Sequence, residues 1–343
     1  MSWFVRTYQD DDRDRLLKLL SGSFVGWKGL KGEQLLEWYE NNPWGHLICV
    51  VEWKKKIVGC YVLTLRCIRI GDEMKQCSLA GDLAVHRDFR RQGMFLAMGK
   101  FITTEAMKEG IEICLGFPNR LAHQGHLKYG WFDVAEIPMF QTYVNLKGFM
   151  MYRGTLPKLH SFYRALHRKK RVDNTIKIKQ ISSFNSEIDR LWTSTAKYYD
   201  ILGVRDMKYL NWRFNKPNSK YQVLTVQQNG KIMGYAVLLV KHVGRKRIGY
   251  IVDLFVSPNP SIIHSLISHS VKFLKDQKVH VILCVLLAKK IFYKVLLENG
   301  FFPSRKIPFI ARINKKETDI ISGAHVHMRK CENWYVTLGD ADL

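Results

Sequence analysis

The chain has little of what would mark a membrane or secreted protein. Its longest apolar runs, such as Val279–Ala288, are about half the ~20 residues a helix needs to cross a bilayer. The first residues, MSWFVRTYQDDD, lack a basic segment followed by an apolar core, so no secretory signal is expected. Cysteine is scarce and unpatterned. The seven cysteines (Cys49, Cys60, Cys67, Cys77, Cys114, Cys284 and Cys331) show no CxxC spacing, which argues against a zinc knuckle or a disulfide framework. Most sit in apolar, strand-like runs, so reduced core thiols and a cytoplasmic location are expected. The histidines are scattered, and His325-Val326-His327 has no further ligand types nearby. No metal site is expected.

Acidic residues are short in one half only. Residues 1–150 hold 20 Lys+Arg against 17 Asp+Glu, and the remainder holds 34 against 13. The second half should therefore feel polyanions, or an acidic glycan or phosphate-bearing molecule, unless its charge serves solvation alone.

What is present is a 343-residue globular composition, 47% hydrophobic and 24% charged, long enough for two domains. The informative stretch is GDLAVHRDFRRQGMFLAMGKF, from Gly81 to Phe101. It reads as a strand over Leu79–Val85, a basic turn Arg90-Arg91-Gln92-Gly93, and a helix from near Gly93. Phe95, Leu96, Met98, Phe101 and Ile102 form the apolar stripe of that helix. A strand entering a helix through such a turn leaves first-turn N–H groups unpaired beside two guanidiniums, with Gly93 permitting close approach. That arrangement suits a pyrophosphate, and equally an ordinary solvated strand–helix junction.

Taken in order, residues 1–150 predict β-α-α-β-β-β-α-β-α-β, a mixed sheet with helices on both faces, an α/β architecture. Phe132–Leu146 reads as a strand pair or one long strand. Residues 151–175 form a basic helix or linker that could also contact anionic lipid or nucleic acid. Residues 176–314 repeat the first order, which reads as an internal duplication, and 315–343 form a C-terminal extension. The second copy has Ser257-Pro258-Asn259-Pro260-Ser261 where the first has the Arg90–Gly93 turn. Two prolines remove donors there, so only the first copy is expected to hold a pyrophosphate.

GDLAVHRDFRRQGMFLAM resembles the acyl-CoA binding segment of the GCN5-related N-acetyltransferases, whose signature is Gln/Arg-x-x-Gly-x-Gly/Ala after the fourth strand. Arg90 and Gly93 match it, and Phe95 replaces the last small residue. LGFPNRLAHQGHLKYGWF, from Leu115 to Phe132, is similar to that family's fifth strand, helix and Gly-aromatic ending, and Asn299-Gly300-Phe301 repeats the ending. Asn42-Pro43-x-Gly45, Tyr209-x-Asn211-Trp212-Arg213 with Pro217, and Gly339-Asp340-x-Asp342 resemble segments of a tandem bacterial subgroup with a degenerate second domain.

The resemblance implies two tandem domains of this α/β fold, each a mixed, mostly antiparallel sheet, and acyl transfer from acetyl-CoA to a primary amine. The acceptor would be a small molecule, an amino sugar or a peptide. It implies that the fourth and fifth strands part to admit pantetheine, with Leu83 and Val85 pairing with its amides. Backbone N–H groups of Arg91, Gln92, Gly93, Met94, Phe95 and Leu96 would cradle the pyrophosphate, Arg90 and Arg91 would add charge, and Asn119 would bond the arm. The family's acid position, four residues before the Gly of the Gly-aromatic pair, is His126, with Tyr129 close by. Asp82 is the first candidate base, followed by His123 and Glu136, with the terminal Asp342 and Leu343 also open. Two other readings stand beside this one. The basic half suits a peptidoglycan-type aminoacyl-tRNA-dependent transferase, and the missing acid Tyr suits a CoA- or polyanion-binding protein without catalysis.

Overall fold

Continuous burial along the middle of β2 (His46–Trp53) and most of β3 (Lys56–Ile70) seats this pair at the centre of a first sheet. The computed structural model describes residues 2–23, 32–145, 175–215, 220–314 and 323–341. The chain divides into two compact units, each discontinuous in sequence. The first comprises Met1–Ala135 and Pro308–Lys330, and the second Glu136–Ile307 and Cys331–Asp342.

In the first unit β1 (Phe4–Thr7), β2, β3 and β4 (Glu73–Val85) are antiparallel neighbours. β5 (Ile113–Gly116) joins β4 in parallel, and Ile310–Ile313 of β13 (Phe302–Ile313) pairs antiparallel with β5. Helices α1 (Arg13–Ser23) and α2 (Gly32–Glu40) follow β1, and α3 (Met94–Lys108) and α4 (Arg120–Leu127) flank β5 in the chain. The stripe Met94, Met98, Ile102 and Ala106 has helical spacing and is buried against Cys49, Val51, Tyr61, Leu63 and Cys114. The acids Asp10, Asp11 and Asp12 just ahead of α1 do more than favour its first turn. Asp12 is fully buried, accepts from Gln9 N at 2.9 Å, and holds Arg6 and Arg15 at 2.5 Å each.

β4 starts at Glu73, six residues before the predicted Leu79, because the Gly71-Asp72 turn carries pairing with β3 straight on from Ile70↔Glu73.

The second unit is ordered β6-β12-β11-β10-β9-β7. Its strands are Glu136–Tyr143 of β6 (Phe132–Tyr143), β12 (Val281–Leu287), β11 (Lys246–Val256), β10 (Lys231–Val243), β9 (Gln222–Gln228) and β7 (Ile176–Ile181). Its helices are α5 (Glu187–Thr195), α6 (Met207–Phe214), α7 (Pro260–Asp276) and α8 (Lys290–Glu298). Two short strands were not foreseen, β8 (Ile201–Gly203) and β14 (Trp334–Thr337), which pair in parallel. Phe132–Tyr143 is one strand rather than a pair.

The repeat expected from element order is present, but the units are not the blocks 1–150 and 176–314. β6 of the first repeat pairs with β12, and β13 of the second repeat pairs with β5. A strand's period of two reports which faces it buries and says nothing about which neighbour accepts its edge. The linker over 151–175 lies almost wholly outside the described residues, as do Pro217, Asp342 and Leu343.

Candidate functional site

β4 and β5 run together only as far as Ala80↔Gly116. Past that pair β5 ends, while β4 continues along β3 to Gly59↔Val85. A gap therefore opens on one side of Gly81–Val85, at the carboxyl ends of two parallel strands, the usual position for a ligand crevice in α/β sheets. Within it β4 carries a bulge. Asp82 and Leu83 together face only Tyr61, between the pairs Val62↔Gly81 and Cys60↔Ala84. Asp82 sits in the left-handed region at φ 41° and is 4% exposed. A non-glycine residue held there by a bulge is strained, and such strain gathers at functional sites.

β4 leads into α3 through the basic turn. Arg91 (φ 64°) and Gly93 (φ 82°) are both left-handed, the sort of turn that gathers successive N–H groups into an anion-binding concavity. Gly93 is the N-cap of α3, so no side chain caps the helix, and a Cβ added there would meet nothing within 4 Å. Arg90, Arg91, Gln92 and Gly93 are exposed. Arg90 folds back, its Nε donating to Val85 O at 3.2 Å, which holds the turn against the end of β4. Met94 is buried in the core, so only its backbone faces the turn.

The second unit shows what closing such a site looks like. At the matching junction Asn259 Oδ1 accepts from Ser261 N (3.0 Å) and Ile262 N (3.3 Å), and Pro260 has no N–H. β11 and β12 also part company, after Ile251↔Cys284, but β14 then pairs with β12 at Leu286↔Thr337 and Leu287↔Val336. Tyr335 donates to Leu254 O and Thr337 Oγ1 to Asp253 Oδ1. The chain's own β14 takes the place that stays open between β4 and β5.

Below the gap lies a buried aromatic cluster. His126 Nδ1 is 2.7 Å from Ala122 O, a group that can only accept, so the ring proton is on Nδ1. Nε2 is then an acceptor, and the Tyr61 hydroxyl donates to it at 2.7 Å. Burial lowers the His126 pKa to about 4 and pushes both Tyr61 and Tyr129 up, so all three are neutral at pH 7. The Tyr129 hydroxyl lies 3.4 Å from that of Tyr61. Phe95 meets the His126 ring edge-on at 5.2 Å and turns into the core beside Gly125. The departure from the small residue of the family signature is thus absorbed by packing.

The rings of His126 and Tyr129 lie 5.7 Å apart, but in this tautomer His126 has no proton to give at Nε2. Tyr61, the residue that ties them, was not singled out from sequence. Its position opposite the β4 bulge is the only signal, and that bulge exists only once β3 and β4 are paired. Arg312 was also missed. It donates to Tyr129 O, and its guanidinium lies 6.0 Å from the Tyr129 ring centroid. A Cβ on Gly130 (φ 90°) would strike it at 2.3 Å.

The remaining candidates lie elsewhere. Asn119 is the N-cap of α4, its Oδ1 accepting from Leu121 N and Ala122 N at 3.0 Å each, which leaves its Nδ2 to bond another group. His123 Nε2 lies 2.6 Å from Asp133 Oδ1, and Glu136 pairs with Lys306 at the surface. Among the described residues no His, Cys, Asp or Glu cluster could hold a metal ion.

No protein-family model matches the sequence, and no curated protein matches it. Solved structures do. A GCN5-related N-acetyltransferase from Anabaena variabilis superposes with TM-score 0.68 at 12% identity, over 92% of this chain and 73% of that one. A protein of unknown function from Enterococcus faecalis, described as a probable N-acyltransferase, gives 0.67 at 12% identity, over 91% and 73%. Saccharomyces cerevisiae N-myristoyltransferase with bound myristoyl-CoA gives 0.62 at 12% identity, over 92% and 83%. The chain thus has the α/β fold of the GCN5-related N-acetyltransferases, in the two-lobed form expected from its sequence.

Proposed function

We propose that the protein is an N-acyltransferase that moves an acetyl or other short acyl group from acyl-CoA to a primary amine of a small molecule, amino sugar or peptide. The observation that carries this reading is the coincidence, in one unit only among the described residues, of a β4–β5 gap that no described strand fills with an α3 whose N-cap is glycine behind two arginines. The neighbours with this fold include acyltransferases, one with bound myristoyl-CoA. In the gap, Leu83 and Val85 backbone groups and Asn119 Nδ2 would pair with pantetheine. The N–H groups from Arg91 to Leu96 would hold the pyrophosphate, with Arg90 and Arg91 adding charge-assisted bonds.

The amine must lose a proton before attack, the thioester oxygen must be stabilised, and the departing thiolate must gain a proton. Asp82, at the bulge, is the base this reading assigns, directly or through water. The acid falls to Tyr129 rather than His126. Burial keeps the Tyr129 phenol protonated, while His126 Nε2 already accepts from Tyr61. The seven free thiols suit a reducing, cytoplasmic setting.

Equilibrium titration with acetyl-CoA, followed by thiol release across an amine panel, tests the proposal. Tight binding by Gly93→Glu would remove the site assignment. Acetyl-CoA binding without thiol release would instead favour the second reading, a CoA-binding protein without turnover, which the spent state of His126 supports.

A further inference from the structure

The second unit carries a basic β-ribbon with an exposed tip that the proposed acyl transfer does not use. β9 accompanies β10 only up to Gln222↔Leu238, and β12 accompanies β11 only from Val281↔Ile248. Past those limits the strands β10 and β11 pair only with each other, through His242↔Arg247 and Val243↔Lys246, and turn at Gly244-Arg245. From Leu238 to Val252 there is no acidic residue, while Lys241, His242, Arg245, Lys246 and Arg247 are basic. His242, Val243, Gly244 and Arg245 are exposed, Val243 to 54%. The base of the ribbon is fixed. His280 N donates to Arg247 O at 2.7 Å, and Arg247 N to His280 Nδ1 at 2.9 Å, which brings the exposed Lys278 to the same end.

We infer that this ribbon is a docking element for the surface of an anionic phospholipid bilayer, met tip first, with Val243 leading and the cations around it contacting headgroups. Directly opposed residues of an antiparallel pair share a face, and successive residues alternate. Lys241 and Lys246 therefore lie on one face of the ribbon and Arg247 and His242 on the other. A ribbon laid in a nucleic-acid groove presents one face to the bases. A tip that leads with the exposed Arg245 and Val243 suits a planar charged surface, where the cation adds its attraction and the apolar residue enters the headgroup layer.

The test is cosedimentation of the full chain with vesicles of phosphatidylcholine alone and of phosphatidylcholine with about one quarter phosphatidylserine, at about 0.1 M salt. Binding is expected to the anionic vesicles only, and to be lost at about 0.5 M salt as the charges are screened. The triple change Arg245→Gln, Lys246→Gln, Arg247→Gln should weaken partitioning on the order of a hundredfold, and Val243→Ser by a few-fold. Lys289→Gln, Lys290→Gln, Lys294→Gln in α8 removes the same charge and should leave partitioning within about twofold. Should the ribbon triple variant melt early, Arg245→Glu alone at the tip replaces it. Equal losses from the α8 and ribbon variants, absence of vesicle binding, or binding to duplex RNA in preference to anionic vesicles would each overturn the inference.

Discussion

The Tyr61 hydroxyl donates to His126 Nε2 across 2.7 Å, and with Nδ1–H bonded to Ala122 O the imidazole is neutral with both nitrogens engaged. Tyr61 reaches His126 from the one β3 residue that faces the two-residue bulge of β4. The same bond that orients α4 thus withdraws His126 from proton donation.

Stability should fall in acid through this ring. Burial lowers the folded-state pKa of His126 from the ordinary 6.5 to about 4. Between those values the unfolded chain binds the proton and the folded chain does not. The contribution is therefore fully present above about pH 6.5 and lost as pH falls toward about 4, amounting to up to about 3 kcal/mol. Denaturant melts of wild type and His126→Gln at pH 7 and pH 4.5 check this. The variant, whose amide oxygen can still accept from Tyr61, should lose less stability on acidification.

Gly93→Glu should weaken acetyl-CoA binding by at least about a hundredfold, because a carboxylate enters the space a phosphate would use and the left-handed φ adds strain. Gly93→Ala carries the strain without the charge and should weaken binding by about tenfold or less. Calorimetric titration separates the two.

Tyr129→Phe should lower turnover by 10²- to 10⁴-fold, the span of a general acid, with the dissociation constant of acetyl-CoA unchanged within about twofold. If thiol release persists at the wild-type rate, the acid lies elsewhere.

Gly125→Ala should destabilise the fold by about 1–3 kcal/mol through overpacking, since its Cβ would come 2.4 Å from the Phe95 ring. The double variant with Phe95→Leu should recover part of that loss. A double-mutant cycle on thermal melts gives the coupling.

In the second unit, Arg205 is 1% exposed and joins Asp340 Oδ2 at 2.6 Å and Asp253 Oδ1 at 3.4 Å. Arg205→Ala should cost about 3–5 kcal/mol, because it strands the buried Asp253 carboxylate and the half-buried one of Asp340. Limited proteolysis should then cut first near β14, whose Thr337 takes part in the same network.

Much of the fold was legible in the sequence, because helices and strands announce themselves by period. α3 begins at Met94, one residue after the glycine that left-handed geometry demands, and α7 begins at Pro260 behind an Asn cap. The order of elements disclosed a second unit of the same α/β class, and the turn Arg90–Gly93 marked one junction as different from the other. The two unforeseen strands are three and four residues long, too short to show a period of their own.

The tertiary structure decided the rest, and for one physical reason. Hydrogen-bonding edges and side-chain tips meet across distances that no local pattern encodes. Arg312 reaches Tyr129 O from 183 positions away. β6 and β13 found edges in the opposite repeat, β14 took the gap between β11 and β12, and no described strand took the gap between β4 and β5. The sequence determined that a basic, glycine-capped turn leads into α3. Packing decided that His126 Nε2 accepts a hydrogen bond instead of giving one, because the Tyr61 hydroxyl was brought to it.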